Sequence, residues 1–175
     1  MSDTGKKIWR DGAFVSDAWR TVETVEGVED GDLIVPAELL REDGDALLSR
    51  NSGRTGVLLE AGEEIGAIIP YLDRLSLVAL SFPAFTDGRA YSKAVRLRQQ
   101  QGFAGEIRAV GDVLLDQVEF MQRCGFDTLE ISHEVTAERL SEGRYTQLNR
   151  HYQPALDEAA KTTAYSWRRN AASVR

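Results

Sequence analysis

The sequence predicts an α/β domain of about five parallel strands in βα repeats, preceded by an N-terminal β-hairpin. Three observations carry that reading. Short apolar runs recur at 33–35, 56–60, 75–80, 106–110 and 128–131, a spacing of roughly 20–25 residues that suits βα units. The runs are continuous rather than alternating, as in strands covered on both faces. Between them lie stretches with apolar residues at three- and four-residue spacing, the mark of a helix packed on one side.

The hairpin comes first. Residues 7–23, KIWRDGAFVSDAWRTVE, alternate and turn at Asp11-Gly12, a turn dipeptide with the required left-handed preference. Trp9 and Trp19 are expected to cover one edge of the core. Helical intervals are expected at 37–50, 63–73, 88–101, 113–124 and about 136–152. Leu114, Leu115, Val118, Met121 and Cys124 mark one face of the fourth. Gly102 and Gly125 stand where helix C-caps belong. An open doubly wound sheet is the first expectation for strand order. A partial (β/α) barrel, completed by a second copy in a homo-oligomer, is the other. The domain is expected over residues 1–152, with 153–175 a weakly helical or disordered tail. Trp167-Arg168-Arg169 is its basic aromatic cluster, either solvated or a docking segment.

Composition narrows the function. The 175 residues carry a net charge of −7, which disfavours a general nucleic-acid binder. No apolar run is long enough for a membrane span, and MSDTGKKIWRDG is too polar for a signal peptide. A cytoplasmic protein is expected. The single cysteine, Cys124, excludes an internal disulfide and any multi-cysteine metal site within this chain. It reads as a buried structural thiol.

Chemistry is expected at the carboxyl ends of the strands, where parallel α/β folds bind ligands. The stretch SFPAFTDGRAYS, residues 81–92, marks one such end. Thr86 or Asp87 can cap the following helix, and Gly88 lets the backbone approach a ligand. Asp87, Gly88, Arg89, Tyr91 and Ser92 form a candidate anion site at the helix N-terminus; equally, Asp87 can simply cap and Arg89 pair with a nearby acid. Arg108 sits inside an apolar run, where a charge needs a partner or a sheet edge. It can point to the same mouth as Arg89 or face water at an edge. Asp112 and His133 follow the next two strands and are the candidate catalytic acid/base groups, with Asp112 alternatively a helix cap or an Arg108 partner and His133 a surface residue. No phosphate-loop or dinucleotide signature is present, and no flavin, nicotinamide, haem or iron–sulfur motif.

The strings SFPAFTDGRAYS and LRQQQGFAGEIRAVGDVLLDQVEFMQRCGFDTLE together resemble an uncharacterised bacterial family. Its members are encoded beside sulfite reductase and phosphoadenylylsulfate reductase, and are labelled oxidoreductases of sulfite reduction. The shared pattern falls here on Phe85, Thr86, Asp87, Gly88, Arg89, Tyr91, Ser92, Arg108, Gly111, Asp112, Asp116 and Gln117. Ala90 stands where the family often has glycine. The resemblance implies a cytoplasmic component of assimilatory sulfate and sulfite reduction, with sulfite reductase or another enzyme of that route as partner. It transfers no catalytic residue and no cofactor. From the residues, a small anion is the expected ligand. An enzyme acting on a phosphorylated or sulfonated metabolite and a non-catalytic assembly factor are the alternatives.

Overall fold

The computed structural model describes residues 6–24, 30–50 and 52–145. The predicted tail, residues 153–175, and His151 lie outside them. Among the described residues, eight strands form one sheet: β1 (Lys7–Arg10), β2 (Ala13–Val15), β3 (Trp19–Thr21), β4 (Asp32–Pro36), β5 (Thr55–Leu59), β6 (Leu77–Phe82), β7 (Glu106–Gly111) and β8 (Thr128–Ile131). The described residues also form four α-helices: α1 (Ala37–Leu48), α2 (Arg89–Gln99), α3 (Val118–Arg123) and α4 (Glu134–Ser141). The five predicted parallel strands are β4 to β8, and β3 adds a sixth.

Spatial order is β2-β1-β8-β7-β6-β5-β4-β3. The parallel strands follow one another without reversal, so the doubly wound expectation is corrected. Successive right-handed crossovers along one direction keep the helices on a single face. The other face is shaped differently from the expectation too, because the sheet rolls up on its own strands.

That curl follows from chain length. β2 and β3 occupy opposite edges of the sheet, yet only residues 16–18 join them. Eight flat strands at about 4.8 Å spacing would put their outer members roughly 34 Å apart. Four residue steps reach at most about 14 Å. The sheet therefore curls until its edges meet. β2 is antiparallel to β1 and β1 to β8, so β2 and β3 run in the same direction. Residues 13–21 act as one bent strand, its first half on β1 and its second half on β4. The hairpin is accordingly shorter than the predicted 7–23: it ends at Val15.

Side-chain alternation separates two cores. Outward positions such as Val78, Leu80 and Phe82 of β6 and Ile107 and Ala109 of β7 pack with Leu40, Ala94, Leu97, Val118 and Met121 beneath the helices. Inward positions Ile34, Leu77 and Ala79 form a smaller cluster with Trp19, Leu58 and Val110. Trp9 belongs to the outer core and Trp19 to the inner one, so the tryptophans do not share an edge. Period-two alternation places residues ten apart on one face only within a continuous strand, and the turn at Asp11-Gly12 breaks that count.

Helix 63–73 is replaced by two 3-10 turns, Ile65–Ala67 and Ile69–Arg74. Pro70 lacks the amide an α-helix would need there. The predicted caps hold: Gly102 and Gly125 have φ of 65° and 97°. Among the described residues no helix is long and apolar enough to cross a membrane.

Candidate functional site at the mouth of the curled sheet

The inward alternation that buries Leu77 and Ala79 continues toward the carboxyl ends of the strands and there becomes polar. Glu60, Ser81, Glu130 and Ser132, with Lys6 from the segment before β1, line a cavity of about 440 Å³. Leu58 and Val110 give it an apolar floor, and Gly111, Asp112 and His133 its rim. Lys6 pairs with Glu130 at 2.9 Å.

Asp112 and His133 meet at this rim. Gly111 makes the turn possible. Its φ is 98°, and a Cβ there would lie 2.4 Å from the Phe82 carbonyl oxygen. Only glycine meets both demands without strain. The chain then reverses, with the Asp112 amide donating to that same carbonyl at 2.8 Å. One carboxylate oxygen of Asp112 accepts the Phe85 amide at 2.9 Å, and the other lies 2.9 Å from His133 Nε2. Asp112 thus ties the loop after β6 to the ends of β7 and β8. The pair is half open, with side-chain exposures of 31 % for Asp112 and 48 % for His133. A carboxylate only accepts, so the neutral ring carries its proton on Nε2 and offers the Nδ1 lone pair. That is the arrangement of an oriented proton acceptor.

The other predicted residues lie elsewhere. Gly88 takes the N-cap position of α2, and Asp87 accepts the helix's first amide while also gripping the Arg89 side chain. Its carboxylate accepts from the Arg89 amide at 3.2 Å and from Arg89 Nε at 2.9 Å, and pairs with the guanidinium. Arg89 holds the Asp87 carboxyl down to about 2. The Arg89 side chain is 60 % exposed. Gly88 and Ser92 are also exposed, and neither lines the mouth cavity. Tyr91 packs its ring against Phe82 and Phe120, with centroids at 5.1 and 4.7 Å; burial pushes its hydroxyl up to about 12. Gln117 is buried and accepts the Leu114 amide at 3.0 Å, while Asp116 is exposed.

Arg108 is a buried inward residue, 3 % exposed. It bonds Asp17 at 2.7 and 3.1 Å and Glu106 at 2.9 and 3.0 Å. Glu106 also receives Arg10 and the Thr128 hydroxyl. Arg108 therefore serves the interior below the mouth. Neither it nor Arg89 lines the cavity, and the structure does not bring the two guanidinium groups together.

Several mouth residues were invisible to motif reading. Glu60, Ser81 and Glu130 are set only by inward register, which shows once Arg108 is known to point inward. Lys93 carries a clearer signal: a lysine on the apolar face of α2 with Ala90, Ala94 and Leu97. Its Nζ donates to the carbonyls of Glu60 and Ala61 at 2.7 and 3.0 Å, clamping the end of β5. Burial moves its pKa down.

A family model described as bacterial protein of unknown function (DUF934) matches residues 56–163. The chain belongs to this bacterial family. The DUF934 match takes in β5 to β8 with Glu60, Asp112 and His133, and leaves out the strand that closes the sheet. Neither a curated protein nor a solved structure matches the chain. Among the described residues, no group of three or more potential ligands is arranged to hold a metal ion.

Proposed function

We propose that this DUF934 protein is an accessory component of assimilatory sulfate and sulfite reduction whose working site is the mouth of the curled sheet. The motif likeness supports the pathway. The Asp112–His133 contact at 2.9 Å supports the site, because an oriented imidazole at the ends of parallel strands is suited to moving a proton. In this reading His133 Nδ1 takes or returns the proton, Asp112 holds the ring, and Leu58 and Val110 keep the floor dry. An anion site at Arg89 has less support, since Asp87 already occupies that guanidinium.

Gene deletion followed by growth on sulfate, sulfite, sulfide and cysteine tests the pathway. Deletion is expected to stop growth on sulfate and sulfite but not on sulfide. Complementation with His133→Ala is expected to fail as the deletion does. Undiminished growth on sulfate without the gene overturns the pathway, and full rescue by His133→Ala overturns the site.

A second reading, docking to the reductase without catalysis, is favoured by one observation. Phe85 and Phe120 are 49 % and 39 % exposed, and the Phe120 ring lies 4.7 Å from that of Tyr91. Under it, His133→Ala complements while Phe85→Ser with Phe120→Ser does not.

A further inference from the structure

The charges that face the mouth are not balanced. Lys6 is taken by Glu130, and the two arginines lie outside the cavity with their own carboxylates. Glu60, an exposed residue, makes no ion pair among the described residues and lines the cavity with the Asp112–His133 pair. The remaining groups are the Ser81 and Ser132 hydroxyls and the Nδ1 lone pair of His133. The hydroxyls donate as well as accept, while the carboxylates and this nitrogen only accept. A free oxyanion entering here meets carboxylates, while a donor cation meets acceptors on several sides.

Register gives the span. Leu59 pairs with Leu80 and Ser81 with Val110, so the ends of β5 and β7 stand one strand apart on either side of β6. Two inter-strand steps make about 10 Å between their backbones. Side chains reaching inward from both walls leave room for a group of a few atoms. The apolar floor of Leu58 and Val110 suits the carbon next to such a group.

Resting on the reading of the mouth as the working site, we propose that it binds a small organic molecule through a protonated primary amine. The amine sits between Glu60 and the Asp112–His133 pair. Free sulfite and sulfate are excluded. The acceptor nitrogen of His133 then faces an N–H of the ligand, which is the proton it is placed to remove.

The test is a titration of the full chain followed by the His133 imidazole resonances, at constant pH and ionic strength. The probes are ethanolamine hydrochloride, ethylene glycol as its uncharged counterpart, sodium sulfate and sodium sulfite. Ethanolamine is expected to shift His133 saturably and at least tenfold more tightly than ethylene glycol, with no saturable effect of either oxyanion. Glu60→Gln is expected to weaken ethanolamine about tenfold, the loss of one charge-assisted contact, with an unchanged circular dichroism spectrum. Saturable binding of sulfate or sulfite at His133, or ethanolamine no tighter than ethylene glycol, overturns the proposal. If growth depends on His133 while the oxyanion is what binds, the mouth stands as the working site and the amine falls.

Discussion

Arg108 and Asp17 join opposite walls of the curled sheet. The guanidinium projects from β7 and meets, at 2.7 and 3.1 Å, a carboxylate on the bend between β2 and β3. In the closed order, β7 is separated from that bend by β1 and β8 on one side and by β4, β5 and β6 on the other. The pair spans the interior and fixes the bend that closes the sheet. Removing Asp17 leaves a buried arginine with Glu106 alone, and breaking a buried pair costs about 3–5 kcal/mol. Asp17→Ala is expected to lower stability by about 2–3 kcal/mol in urea unfolding, below that range because Asp17 is partly open to water. Arg108→Met, which removes the charge and keeps the bulk, is expected to cost less than Arg108→Ala.

Gly111 sets the aim of Asp112. A side chain there would meet both a left-handed backbone and the Phe82 carbonyl. Gly111→Ala is expected to destabilise the protein by about 2 kcal/mol or more and to break the 2.9 Å Asp112–His133 contact, seen as a change in the His133 imidazole resonances. Gly62→Ala, where the new methyl meets nothing within 4 Å, is the matched control and is expected to be near neutral. Thermal unfolding with imidazole NMR separates the two.

Lys93 clamps the end of β5 through two carbonyls. Lys93→Met keeps the buried stem and removes both bonds, leaving the Glu60 and Ala61 carbonyls without this donor. The expected cost is about 1–3 kcal/mol. Amide exchange should quicken at residues 60–62 before it quickens in β6.

Burial pushes the Cys124 thiol up to about 11 and the Tyr91 hydroxyl up to about 12. Both groups lose their protons more readily in the unfolded chain, near 9 and 10. Their contribution to stability is complete below about pH 9 and is lost as pH climbs through 11 and 12. Alkaline titration followed by circular dichroism is expected to show stability falling across that window. At pH 8 the folded protein should resist iodoacetamide, while the urea-unfolded protein reacts readily.

The parts of this molecule written in the sequence are those set by local chemistry. Continuous apolar runs marked β4 to β8, and glycines after α2 and α3 marked their ends. Strand-end position alone put Asp112 and His133 forward, and the fold placed them 2.9 Å apart. What was not legible depends on meetings between distant segments. Ile8 of β1 lies beside Glu130 of β8, and no periodicity within either segment announces that pairing. Without it, Arg108 lacks its partner on the far wall, and an inward arginine cannot be told from one at an edge. The stretch 63–73 shows the opposite error. Its apolar spacing reads as a helix, but Pro70 removes an amide and only 3-10 turns form.

The bent strand over residues 13–21 also has a consequence in time. During synthesis the hairpin leaves the ribosome long before the strand it must lie against, Thr128–Ile131, which comes more than a hundred residues later. Pairings so far apart in the chain slow folding. Until β8 emerges, the hairpin waits with an open edge, and the curled sheet cannot close before its eighth strand is made.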